Sequence, residues 1–83
     1  MLTKADINRI RSLGDKSGRT AEGCFVVEGE KLVGELEGSG FTLREVYRIG
    51  DNVNAGEMER ISFLKTPTPV LAVAEIPYYS KPY

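Results

Sequence analysis

Apolar residues set the rhythm of the chain from its first turn. Ile7, Ile10 and Leu13 recur at helical spacing. Thr3 stands before them as an N-cap, with Leu2 and Ile7 at the spacing of a hydrophobic staple. The pattern predicts a helix ending at Gly14, in the position of a left-handed C-cap. Asp15–Gly23 has no apolar period and reads as a polar loop, kept adaptable by Ser17, Gly18 and Gly23. Cys24-Phe25-Val26-Val27 is a continuous apolar run between turn residues, the pattern of a buried strand. Glu28 and Gly29 close it, Gly29 either bringing the backbone close to a partner or capping the next helix. In that helix Leu32, Val33 and Leu36 share one face, and Gly38-Ser39-Gly40 ends it. Gly34 inside it marks either a close approach or a cost of roughly 1 kcal/mol that packing tolerates.

A second strand follows over Leu43–Ile49, then turn residues Gly50-Asp51-Asn52. Asn54 caps a further helix, with Glu57 at the capping-box position and a Val53–Met58 staple. Met58, Ile61 and Leu64 form its expected inner face. The prolines of Lys65-Thr66-Pro67-Thr68-Pro69 force a loop. Val70–Ile76 is almost unbroken apolar sequence, as in a parallel strand covered on both faces. The expected architecture is a small α/β domain over residues 1–76, an αβα sandwich with a mostly parallel sheet of three strands. Phe25–Glu28 should pair with Val70–Ile76, and residues 77–83 read as a linker or frayed tail.

Composition narrows the chemistry. A chain of 83 residues forms at most one domain, and 41% hydrophobic with 28% charged residues is globular rather than disordered. The net charge of −1 and the isoelectric point near 5.4 do not announce a nucleic-acid binder. Distribution tempers this, because residues 1–31 hold six Lys/Arg against five acids and 32–64 hold three against six. A basic surface would therefore be a local patch in the first third. The single cysteine, Cys24, excludes an internal disulfide, suits a reducing cytoplasm and sits where a small core residue belongs. With no histidine, the commonest general base and metal ligand is missing. No phosphate-binding glycine loop, metal-ligand cluster or membrane-spanning run is visible, so no catalytic, cofactor or metal residues are assigned.

Two stretches carry a resemblance. Arg19 followed at fixed spacing by Phe25-Val26-Val27-Glu28-Gly29-Glu30-Lys31-Leu32-Val33, and the run EMERISFLKTPTPVLAV over 57–73, resemble the substrate-binding domain of SpoU/TrmH-type RNA 2′-O-ribose methyltransferases. The matches cover about half of the chain, in the family's order. The resemblance implies the fold of kink-turn-binding ribosomal proteins, with one helix–strand unit of the family missing between the second strand and the EMERIS helix. It further implies ribosomal or transfer RNA as partner. S-adenosylmethionine would belong to a separate C-terminal knotted domain, through which the parent would dimerise.

The residues expected to position RNA are Lys16, Arg19, Lys31 and Lys65, with Arg11 as a further cation and Thr66 as a hydrogen-bond donor. Glu28 and Gly29 are assigned to shaping the surface. In parallel topology Lys16, Arg19 and Lys65 share one sheet edge, while Lys31 falls at the opposite one. Two other readings stay open: a free-standing RNA-binding protein of the ribosomal type, and an α/β interaction or dimerisation domain whose loop cations are only solvated. Tyr47 reads either as strand packing or as a base-stacking ring.

Overall fold

The computed structural model describes residues 2–76. Helices α1 (Lys4–Ser12) and α2 (Lys16–Glu22) lead into strand β1 (Cys24–Glu28). Helix α3 (Glu30–Gly38), strand β2 (Leu43–Arg48), helix α4 (Ala55–Ile61) and strand β3 (Val70–Glu75) follow. The expected segment 77–83 lies outside the described residues.

The sheet order is β1-β3-β2, so the last strand is central. Val70 through Ala74 are all fully buried, which is why that stretch of sequence shows no alternation. Leu71 and Val73 face Ile10, Leu13, Cys24, Val53, Met58 and Ile61, the layer built by α1 and α4. Val70 and Ala72 face Val33 of α3, with Val27, Leu43 and Val46 packed around them. Helices thus cover both faces, as the αβα expectation required. A β-bulge between Leu43 and Glu45 shifts the register of β2 by one residue. It lets Leu43 and Val46 face α3 while Glu45 and Tyr47 face α1.

The sheet is antiparallel, not mostly parallel: β1 and β2 each pair with β3 in antiparallel register. An apolar run reports burial on two faces and is blind to strand direction. The chain between β2 and β3 decides the direction. It spends its length on a turn, a short α4 and a proline loop, and α4 hands over at Ser62, whose hydroxyl bonds Glu28 at the same sheet end where β2 finishes and β3 begins. A parallel return would have needed a crossover spanning the sheet. β1 and β2 do run parallel to each other, with α3 as their crossover and β3 inserted between them.

Residues 15–23 are helical rather than a loop. Asp15 is the N-cap of α2, and Gly23 ends it in left-handed conformation at φ 68°. Gly18 is the residue that permits this packing, because a Cβ there would run into the Ser12 carbonyl. Gly14 lacks the left-handed φ expected of it, since α1 closes at Leu13 in right-handed geometry and the chain turns directly into α2. Its missing side chain makes room instead for Phe63, whose Cε1 would stand 2.8 Å from a Cβ at Gly14. Leu32 points outward, and Leu64 lies beyond the end of α4 and is also exposed. Nothing approaches Gly34 within 4 Å, so packing tolerates it.

Both N-terminal signals form as expected. Thr3 caps α1 and Asn54 caps α4, each within a complete capping box. The Glu57 carboxylate also accepts from the Leu2 N–H, at 3.3 Å, which ties the two helix starts together.

Candidate nucleic-acid interface

The antiparallel topology brings the ends of β1 and β2 and the beginning of β3 to one end of the sheet. Three segments leave the sheet there: Gly29–Lys31 entering α3, Ile49–Asn52 after β2, and the loop 62–69 entering β3. Lys31 and Lys65 therefore share an end, contrary to the expectation from parallel strands. The start of α2 joins them, because Gly14 lies against Phe63. Lys16 is two residues beyond Gly14 and Lys65 two beyond Phe63, each step at most about 3.8 Å between Cα atoms.

Glu28 organises this end. Its carboxylate accepts from the Ser62 hydroxyl at 2.6 Å and from the Phe63 N–H at 2.9 Å. Ser62 Oγ in turn accepts from the Leu64 N–H at 3.0 Å. These bonds pin the loop that carries Phe63, Leu64, Lys65 and Thr66. Gly29, at φ 105°, is the N-cap of α3 and donates its N–H to the Val70 carbonyl. That conformation suits glycine and sets the angle at which Lys31 leaves the sheet.

The basic residues sort into engaged and solvated groups. Arg19 Nη1 donates to the Leu13 and Gly14 carbonyls, each at 3.1 Å, satisfying the C-terminus of α1. It is a structural clamp for the α1–α2 corner, a role its position in the motif did not disclose. Arg11 Nη1 donates to the Arg60 carbonyl at 3.1 Å, and its guanidinium lies 5.6 Å from the centre of the Phe63 ring. Arg48 bonds both Glu30 oxygens at 2.9 Å. Arg9 pairs with Glu45 at 2.9 Å. Burial opposes its charge, but the hydrogen bond and charge of Glu45 outweigh it and raise the guanidinium pKa. Among the described residues no ion pair engages Lys16, Lys31 or Lys65, and all three are exposed. Thr66 is exposed beside Lys65.

Tyr47 is packing rather than a platform. It packs against the α1/α4 layer and its hydroxyl donates to Glu45 at 2.9 Å. Burial and that hydrogen bond push its pKa up to about 12. Cys24 is a buried free thiol whose pKa burial also raises. A second concavity, about 570 Å³, opens between α1 and α4 and is lined by Leu2, Lys4, Ile7, Asn8, Arg11 and Arg60. Phe63 is the residue that reading the sequence passed over. The signal was an apolar dipeptide, Phe63-Leu64, directly before a cation and a proline loop, where burial is hard to arrange.

An αβα layer presents loops, exposed lysines and a partly open aromatic ring at one end of the sheet. The chain belongs to the MRM3-like substrate binding domain family, whose model matches residues 4–55. It is similar over its whole length to a TrmH-family protein from Porphyromonas gingivalis assigned as an RNA methyltransferase, at 28% identity and a TM-score of 0.85. An RNA 2′-O ribose methyltransferase shares the fold over 98% of the chain, at 15% identity and a TM-score of 0.79. The chain spans 39% and 38% of those two structures. A comparison with curated proteins returns no match. The resemblance to the SpoU/TrmH-type substrate-binding domain is borne out.

Proposed function

We propose that this domain holds ribosomal or transfer RNA for a 2′-O-ribose methyltransferase whose chemistry resides in a separate C-terminal domain. The observation that carries the reading is a family substrate-binding domain with exposed Lys31 and Lys65 at one end of its sheet and Lys16 two residues from the Gly14–Phe63 approach. A-form RNA closes its major groove to side chains, so such a surface works through phosphate contacts and exposed bends or loops. Arg11 and Thr66 add a charge and a hydroxyl to the same surface. Glu28 and Gly29 fix the loops that present it.

The concavity between α1 and α4 is lined by Lys4, Arg11 and Arg60, which would repel the sulfonium cation of S-adenosylmethionine. We therefore assign the cofactor, and dimerisation of the parent protein, to the catalytic domain. Among the described residues no helix is long and apolar enough to cross a membrane. We place the protein in the cytoplasm, where its RNA substrates are.

Titration with RNA at increasing salt tests the reading. About three neutralised phosphates give a slope of log affinity against log salt near −2 to −3. Replacing Lys16 and Lys65 together by Ala should flatten that slope by about 1 to 2 units, with stability changed by no more than about 0.5 kcal/mol. Arg19→Ala should do the reverse, costing about 0.5–1.5 kcal/mol of stability and leaving the slope alone. An unchanged slope in the folded double variant would return the lysines to plain solvation.

A further inference from the structure

Phe63 is 42% exposed, and with Leu32, Ile49 and Leu64 it is one of four large apolar side chains left open among the described residues. Its exposure is not looseness. The Phe63 N–H is held by Glu28, and the Arg11 guanidinium lies over the ring. The absent Cβ of Gly14 leaves room for the ring edge at Cε1. Three separate elements thus fix an aromatic ring that folding leaves partly open to solvent.

Charge around the ring selects what can cover it. Arg11 touches it, Lys65 follows it by two residues and Lys16 follows Gly14 by two. Of the acids tied to this corner, Asp15 is the N-cap of α2 and Glu28 has both oxygens engaged. An apolar ring among cations suits a ligand that alternates flat apolar surfaces with negative charges, as a nucleic-acid single strand does.

We propose that Phe63 is the base-stacking platform of this interface, taking an unpaired base of the RNA while Arg11, Lys16 and Lys65 take neighbouring phosphates. Resting on the RNA reading above, this narrows the substrate to RNA with a splayed or single-stranded nucleotide at the point of contact. A paired helix keeps its bases inside its own stack and offers the ring nothing to cover.

The test is a fluorescence titration of the 83-residue chain. Its probes are a short single-stranded oligoribonucleotide carrying one aminopurine and the same strand annealed to its complement. The native chain should bind the single strand more tightly and quench the aminopurine. Phe63→Leu should weaken single-strand binding about five- to a hundredfold, abolish quenching and leave the salt slope in place. Phe63→Tyr should restore both. Native binding without quenching, or equal affinity for strand and duplex, overturns the platform and leaves the RNA reading standing. A folded Phe63→Leu chain that binds and quenches like the native one does the same. Failure of the native chain to bind either probe overturns both. The quenching is read on the native chain, so it stands even where a variant melts early.

Discussion

The two faces of the sheet are built differently. On the α1/α4 side, Ile10, Leu13, Cys24, Val53, Met58, Ile61, Leu71 and Val73 form one buried cluster, whereas the α3 side has Val33, Val70 and Ala72. The polar ties differ in the same sense. The thick side carries the partly buried Glu28–Ser62 bond, the exposed Glu28–Phe63 bond beside it, and the partly buried Arg9–Glu45–Tyr47 chain. The thin side relies on the exposed Arg48–Glu30 pair and an edge-to-face contact of Phe25 with Phe41, ring centres 5.9 Å apart. Exposed ion pairs contribute little, about 0–1 kcal/mol. Stability is therefore concentrated on one face, and that face also positions Arg11, Phe63 and Lys65. Recognition surface and core share a scaffold, while Lys31 rides on the helix that covers the smaller buried cluster.

Truncating one buried residue on each side would break or confirm this asymmetry. Met58→Ala should cost about 2–5 kcal/mol in urea denaturation, and Val33→Ala only about 1–2 kcal/mol. Equal losses would mean that α3 contributes as much as the α1/α4 layer.

Glu28→Gln sharpens the comparison at the polar ties. The amide keeps one acceptor oxygen, so either the Ser62 hydroxyl or the Phe63 N–H loses its partner. Ser62 is 6% exposed and has little access to water in compensation. The expected loss is about 1–3 kcal/mol, with faster amide exchange at Phe63 and Leu64. A variant as stable and as protected as the native chain would show that the loop is held by its apolar contacts alone.

The smallest effect appears only at high pH. Burial and the hydrogen bond to Glu45 keep the Tyr47 hydroxyl protonated, so its folded pKa, about 12, lies above the unfolded value of about 10. A raised pKa contributes stability that is fully present below the unfolded value and is lost as pH rises through the folded one. Denaturation midpoints should fall between about pH 10 and 12, and Tyr47→Phe should remove that share of the fall. An identical alkaline profile in the variant would assign the loss to other groups.

Much of the fold was legible because it follows from local chemistry. Thr3 and Asn54 cap their helices because an oxygen two or three bonds from Cα reaches the N–H groups of the first turn. Val70–Glu75 had to be a strand covered on both faces because every residue from Val70 through Ala74 is apolar. The resemblance over residues 19–33 and 57–73 pointed to the family, because it depends on residue order and not on topology.

Direction and proximity were another matter. Whether β3 runs with or against β1 depends on where α4 returns the chain, and no residue of β3 encodes that. The 15–23 segment reads as a loop because glycine and serine disfavour helix in isolation, yet Gly18 is what lets α2 approach the Ser12 carbonyl. Arg19, Arg11 and Glu28 look alike in sequence as surface charges. Their partners, at Leu13 and Gly14, at Arg60 and Phe63, and at Ser62 and Phe63, lie up to 52 positions away. The sequence by itself determined the helix and strand segments other than α2 and which residues carry charge, since hydrogen-bonding reach and side-chain period act over a few residues. Only the tertiary structure decided which charges are spent holding the chain and which face solvent beside Phe63, because long-range packing chooses each side chain's neighbours.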